Sequence, residues 1–139
     1  MGLPPMFELI EYSHLNSRQK ENYNFQKVAA RLANYGYNCL RLSDDWHGAD
    51  FIACHINGET FLKVQLKGRL TIDRKYEGKD IFIAFFEGDD CYVYPHDEVI
   101  TRVEAAEKVI SSASWSEAGS YTWPSVPRWM RPIIEEYKV

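Results

Sequence analysis

Hydrophobic and polar positions change their period several times along the chain, and each change predicts an element. In RQKENYNFQKVAARLANY (18–35), Phe25, Val28, Ala29 and Leu32 recur at helical spacing. Gly36 follows as a stop, so this segment reads as a helix packed on a sheet through one stripe. NCLRLS (38–43) is predicted to be a short strand and DDWHG (44–48) a loop. Strict alternation then takes over in ADFIACHI (49–56) and ETFLKVQLKG (59–68), joined by Asn57-Gly58, the strongest two-residue hairpin signal. After a polar loop bearing Lys and Arg come DIFIAFFE (80–87), GDD and CYVYP (91–95), a nearly all-apolar hairpin expected at the centre of the sheet. HDEVITRVEAAEKVI (96–110) sets Val99, Val103, Ala106 and Ile110 on one helical face, with acids at its start. SSASWSEAGSYTWPSVP (111–127) reads as a loop, and PRWMRPIIEEYKV (127–139) as a short, Pro-interrupted helix. Helix, strand, hairpin, hairpin, helix is the order of an α/β (α+β) domain on a mixed β-sheet of about four or five strands. One domain is expected over 1–139, with its core at about 18–110 and an aromatic tail at 111–139.

The Asn-Gly bend also predicts a register. A two-residue loop places Ile56 against Glu59, Cys54 against Phe61, Ile52 against Lys63 and Asp50 against Gln65. Phe51, Ala53, Leu62, Val64 and Leu66 then share the opposite, apolar face, which is what a sheet covering a core requires. Directly opposed residues bring their β-carbons to about 4.5–5.5 Å. Lys67 projects to the same side as Gln65, so a carboxylate, an amide oxygen and an ammonium gather around one spot.

Composition narrows the alternatives. The chain has 139 residues and a formal charge of −4, which argues against a generally basic nucleic-acid coat but leaves room for a local one. No apolar run approaches the roughly 20 residues that span a bilayer, and the N-terminus lacks a signal-peptide pattern. Cys39, Cys54 and Cys91 are odd in number and widely spaced in apolar sequence, as buried thiols of a cytoplasmic protein would be.

The trio on the polar strand face has a definite chemistry. Mg²⁺ or Mn²⁺ takes oxygen ligands, typically one or two carboxylates with waters and substrate phosphate. Asp50 offers one charge, Gln65 a neutral amide oxygen, and the Leu66 carbonyl a further neutral oxygen. Lys67 is suited to orient an attacking water or hold a scissile phosphate. The sum is metal-assisted phosphodiester hydrolysis. From hairpin geometry alone, a surface ion pair of Asp50 with Lys67 beside a solvated Gln65 is an equally good account.

Residues GADFIA and VQLK, with the preceding helix FQKVAARLANYGY, resemble the PD-(D/E)XK nuclease superfamily, the restriction-endonuclease-like fold. The resemblance spans about Glu21 to Pro95, and the pattern resembles Holliday-junction-resolvase-like and homing-endonuclease-like members. It implies Asp50 as the acidic metal ligand, Gln65 where a Glu usually stands, and Lys67 as the lysine of the triplet. Some members, including a homing-endonuclease branch, also carry Gln there. The resolvases have a catalytic Glu on the first helix where this chain has Phe25; Glu21, one turn earlier on the same face, is the substitute, with Asn22 and Asn24 as weaker candidates. As a first-turn acid, Glu21 has a purely stabilising account as well. The implied activity is a Mg²⁺-dependent DNA endonuclease, and the alternative is a silent relative that binds nucleic acid or a protein without cutting.

Lys63, Arg69, Arg74, Lys75 and Lys79 lie close enough in sequence to Lys67 to form a patch that tracks a DNA backbone without reading bases. Asp73, Glu77 and Asp80 interleave and dilute it. Tyr76, Trp46 and Tyr23 are candidates for stacking on bases. His55 is expected to be structural, and His96, Asp97 and Glu98 to start a helix. Trp115, Tyr121, Trp123 and Trp129 are expected to pack back over the domain or to form a homodimer interface.

Overall fold

The structure is a computed structural model and describes residues 2, 6–106 and 114–139. Its first long element is α1 (Ser17–Ala33), entered through a reciprocal cap in which the Asn16 side chain accepts from the Gln19 backbone and the Gln19 side chain answers. Three antiparallel strands follow, β1 (Tyr37–Trp46), β2 (Ala49–His55) and β3 (Phe61–Leu66). Next come β4 (Leu70–Asp73), a 3₁₀ turn at Arg74–Tyr76, β5 (Ile81–Glu87) and β6 (Asp90–Pro95). Helix α2 (His96–Ala105), β7 (Ser120–Trp123) and the short α3 (Arg131–Ile134) complete the order. The main sheet is mixed, with strands in the order β1-β2-β3-β5-β6, and β3 and β5 are its parallel pair. This is the α+β architecture that the alternation of elements predicts.

Several expectations need correction. Strand β1 runs through Asp44–Trp46, where a loop was expected, and the tight turn is His47-Gly48, with φ of 53° and 90° between the paired residues Trp46 and Ala49. Two positive φ values in a two-residue loop are the type I′ signature. Gly48 is doubly constrained, since a Cβ there would also meet the Tyr76 ring at 3.3 Å. The Asn57-Gly58 bend is wider than a two-residue loop. Asn57 lacks a positive φ, the His55 N–H bonds Thr60, and the Ile56 N–H leaves the hairpin to bond Gly36. Ile56 and Glu59 therefore do not pair. The wider loop is centred on the same Asn-Gly bond, so the register survives: Cys54 faces Phe61, Ile52 faces Lys63 and Phe51 faces Val64.

The second hairpin is not central, because β6 lies at the sheet edge, where Lys138 bridges to Tyr92 and the Val139 N–H bonds Cys91. The segment expected as a polar loop after β3 contains β4 and a buried Tyr76, and the segment expected as a loop after α2 contains β7. These two short strands form a separate two-stranded sheet. Helix α2 ends at Ala105; Ala106 is its exposed cap, and Ile110 lies outside the described residues. The 127–139 segment breaks into two 3₁₀ turns around α3.

Two cores flank the main sheet. On one face Val28 and Leu32 of α1 pack on Phe51, Ala53, Val64 and Ala84. On the other, Ile81, Ile83, Phe85, Tyr92 and Tyr94 are covered by α2, by the small sheet and by Met130 and Ile134 of the tail. Beyond β5 that core takes in only Ala49 of β2 and Leu42 of β1. Over β1–β3 the same face is left with half-buried Ile52, Lys63 and Gln65 and with exposed Leu40 and Phe61. The polar positions of β3 are thus the uncovered half of a two-sided sheet.

Candidate functional site

The β2–β3 ladder ends at Phe51 and Val64. Continued in the same register, it would send the Leu66 N–H to the Ala49 carbonyl. Ala49 instead pairs with Trp46, pulled aside by the tight His47-Gly48 turn. The two strands fork, and Asp50 fills the gap: its Oδ2 accepts the Leu66 N–H at 2.8 Å. Within an extended strand the N–H and C=O of one residue point to the same edge. The Leu66 carbonyl therefore also points into the fork. Gln65 Nε2 sits 3.4 Å from that carbonyl oxygen. Rotating the amide by half a turn would put its oxygen there instead, so the fork can present a carboxylate, a carbonyl and an amide oxygen together.

Lys67 lies just past the end of β3, with its backbone N–H on Ala84 of β5. Its Nζ stands 5.4 Å from the centroid of the Tyr76 ring. The sequence makes Tyr76 a candidate for stacking on bases near the site, and the structure buries it instead. It is the buried floor beside it: it packs under Gly48, takes Lys75 at 5.1 Å and meets His96 edge-on at 5.6 Å. Burial pushes its phenol above the usual value; Lys75 opposes this, while Asp73 and Asp50 add to it. The Asp50 charge thus reaches the phenol whose ring carries Lys67. A periodicity signal was available, since Leu70, Ile72 and Tyr76 are all buried in the segment assigned to a polar loop.

Glu21 lines the same open cleft as Asp50, of about 860 Å³, together with Asn22, Arg41 and Asp44. Its Oε1 is 3.0 Å from Arg41 of β1, which also bonds Asn22 and lies over the Phe25 ring. Asn24 faces another way, donating to the Tyr12 hydroxyl at 2.9 Å. Among the described residues no cluster of three or more His, Cys, Asp or Glu is placed to hold a metal ion.

Several of the cations expected in one patch are engaged with neighbouring groups. Lys63 bonds the Lys79 carbonyl, Arg74 lies on the Trp115 ring at 4.7 Å, and Lys75 is 4.0 Å from Asp73. Arg69 and Lys79 are exposed. His55 serves the loop, accepting the Asn57 N–H at 3.1 Å with its ring edge-on to Tyr37. His96 is buried at the start of α2; its Nε2 accepts the Asp73 N–H at 3.0 Å and its Nδ1 faces Asp97. The expected helix start is therefore what this trio forms. Burial pushes the thiols of Cys39 and Cys91 up to about 11. Neither has thiolate character at neutral pH.

No family model matches the chain, and no curated protein does. Among solved structures it is similar to the bacterial homing endonuclease I-Ssp6803I, at 23% identity and a TM-score of 0.44, over 59% of this chain and 67% of that one. It is also similar to Hjc, a Holliday junction resolvase from the archaeal hyperthermophile Archaeoglobus fulgidus, at 17% identity and a TM-score of 0.45, over 57% of this chain and 75% of that one. Both neighbours are nucleases. Among the described residues no helix is long and apolar enough to cross a membrane.

Proposed function

We propose that the chain is a divalent-metal-dependent nuclease that hydrolyses phosphodiester bonds of DNA at the fork between β2 and β3. The observation that carries this reading is the Asp50 carboxylate, held on the Leu66 N–H where the ladder opens, with Gln65 on the carbonyl of the same residue. Hard oxygen donors of this kind fit Mg²⁺ or Mn²⁺. Asp50, Gln65 and the Leu66 carbonyl would hold the ion, which when bound supplies charge neutralisation at the phosphate and a more acidic water. The Lys67 ammonium donates to the attacking water and to a phosphate oxygen. Tyr76 keeps the Lys67 stem beside the fork through the contact with its ring. Exposed Arg69, Arg74, Lys75 and Lys79, with Lys63, give the DNA backbone salt-sensitive purchase.

Chelator-sensitive cleavage of DNA by the purified protein, lost in Lys67→Ala, is the direct test. No cleavage of duplex, branched or single-stranded DNA with Mg²⁺ or Mn²⁺ would overturn the reading. A second reading, a silent relative that binds without cutting, is favoured by the ion pair that occupies Glu21. Metal titration separates the two. A silent fork binds no Mn²⁺ in the wild type and gains it in Gln65→Glu.

A further inference from the structure

On the other side of α1 lies a second cavity of about 350 Å³, whose floor includes Leu66, Lys67 and Gly68, the strand end that carries the fork. Its remaining walls are α1, Ala84–Phe86 of β5, the β5–β6 turn and Tyr12 from a short 3₁₀ turn ahead of α1. Aromatic surface and positive charge occur here in pairs. Tyr12 and Tyr23 have their ring centroids 5.3 Å apart; Lys20 lies 5.3 Å from the first ring and Lys27 lies 5.2 Å from the second. Asn24 is held at the rim by its bond to the Tyr12 hydroxyl. Arg31 closes the far end, donating to the Asp89 and Val139 carbonyls at 2.7 and 3.2 Å. These bonds and the Phe86 ring, 5.8 Å from its guanidinium, engage Arg31 on the wall, while Lys27 lines the cavity beside Tyr23 and Lys20 stands over Tyr12 outside that lining.

A flat aromatic unit joined to an anion matches this lining, and a volume of a few hundred Å³ is that of a small-ligand site. A nucleotide is such a unit. A cavity of about 350 Å³ suits one nucleotide out of the stack rather than a continuous duplex. We propose that it receives a single unpaired nucleotide of the DNA substrate, the base stacked on Tyr12 or Tyr23 and its phosphate directed to Lys27. The inference rests on the DNA-cleaving reading and adds a substrate preference to it. Leu66 and Lys67 border both sites, so a nucleotide held here sets a neighbouring phosphate at the fork. An already unpaired nucleotide avoids the cost of leaving a helix, which gives selectivity for bulged or frayed DNA.

The test is equilibrium binding in EDTA, where no cleavage occurs, to two labelled duplexes of equal length, one continuous and one with a single bulged nucleotide. The wild type is expected to prefer the bulged DNA by roughly ten-fold, the size of one base–aromatic stack. The double variant Tyr12→Ala, Tyr23→Ala should lose that preference and keep its affinity for continuous duplex, with an unchanged melting temperature as the folding control. A 2-aminopurine at the bulge should be quenched by the wild type and not by the double variant. Equal affinity for the two DNAs, or a preference that survives in the double variant, overturns the proposal. So does displacement of the bulged DNA by free dAMP at matching concentration, which would assign the cavity to mononucleotides. A bulge preference without metal-dependent cleavage would sink the nuclease reading alone, and cleavage without the preference would sink this one alone.

Discussion

Replacing Asp50 separates its structural task from its proposed chemical one. Asp50→Ala removes a charge-assisted hydrogen bond to the Leu66 N–H, whose 2.8 Å length is that of a strong interaction. Such a bond contributes about 1.5–3 kcal/mol, and the fork offers no replacement from the β2 backbone because Ala49 is already paired. Asp50→Asn keeps an acceptor at the same place, so only the difference between a charged and a neutral bond is lost, about 1 kcal/mol. For a chain of 139 residues, 1 kcal/mol corresponds to about 3 °C in Tm. The alanine variant should therefore melt about 5–10 °C below wild type, and the asparagine variant about 3 °C below it. Adding Mn²⁺ then isolates the chemistry. At a hundred times Kd, binding adds about 2.7 kcal/mol, a rise of about 9 °C in wild type and of none in either variant. Calorimetric melts with and without Mn²⁺ read all six values. An undiminished Mn²⁺ shift in Asp50→Asn would refute the metal assignment, and an unchanged melt of metal-free Asp50→Ala would refute the fork geometry itself.

Other substitutions probe neighbouring parts. Gln65→Glu adds a second charge to the fork and should tighten Mn²⁺ binding by about ten-fold, followed by the loss of free-ion EPR signal; no change would place Gln65 outside the ligand set. Lys67→Ala should lower cleavage by about 100-fold while Mn²⁺ binding stays at wild-type strength, the split expected of a group that acts on water and phosphate rather than on the ion. The Glu87 carboxyl is held below its ordinary value near 4.5, first by the Val126 N–H and also by Arg131, against the opposing effect of burial. A depressed folded-state value means that its stabilisation is complete above the ordinary range and drains away as the pH falls through the lower one. Tail docking, read by tryptophan fluorescence, should loosen below about pH 4.5, and Glu87→Gln should flatten that pH dependence. Gly119→Ala puts a Cβ 3.1 Å from the Arg74 side chain at a φ of 69°, and should cost about 1–2 kcal/mol in a denaturant titration.

What the sequence by itself determined is local. The capped amphipathic stripe of α1, the alternation in β2 and β3 and the parity set by Asn57-Gly58 each depend on residues within a turn or a bend of one another. Each appears in the molecule with that pattern intact. The register of β2 on β3 as far as Phe51 and Val64 was legible for that reason, even though the bend itself is wider than its dipeptide implies. The tertiary structure alone decided the rest. Leu70–Asp73 pairs with Ser120–Trp123 across some fifty intervening residues, and strands of four carry too little pattern to announce a partner so far away. At the tight His47-Gly48 turn, Tyr76, a distant residue, packs within 3.3 Å of where a Cβ on Gly48 would stand, and the φ of 90° there favours glycine as well. That turn draws Ala49 away from Leu66 and opens the fork that Asp50 fills. Pairing parity is a property of the bend, whereas the place where two strands part depends on what packs against them from elsewhere in the chain.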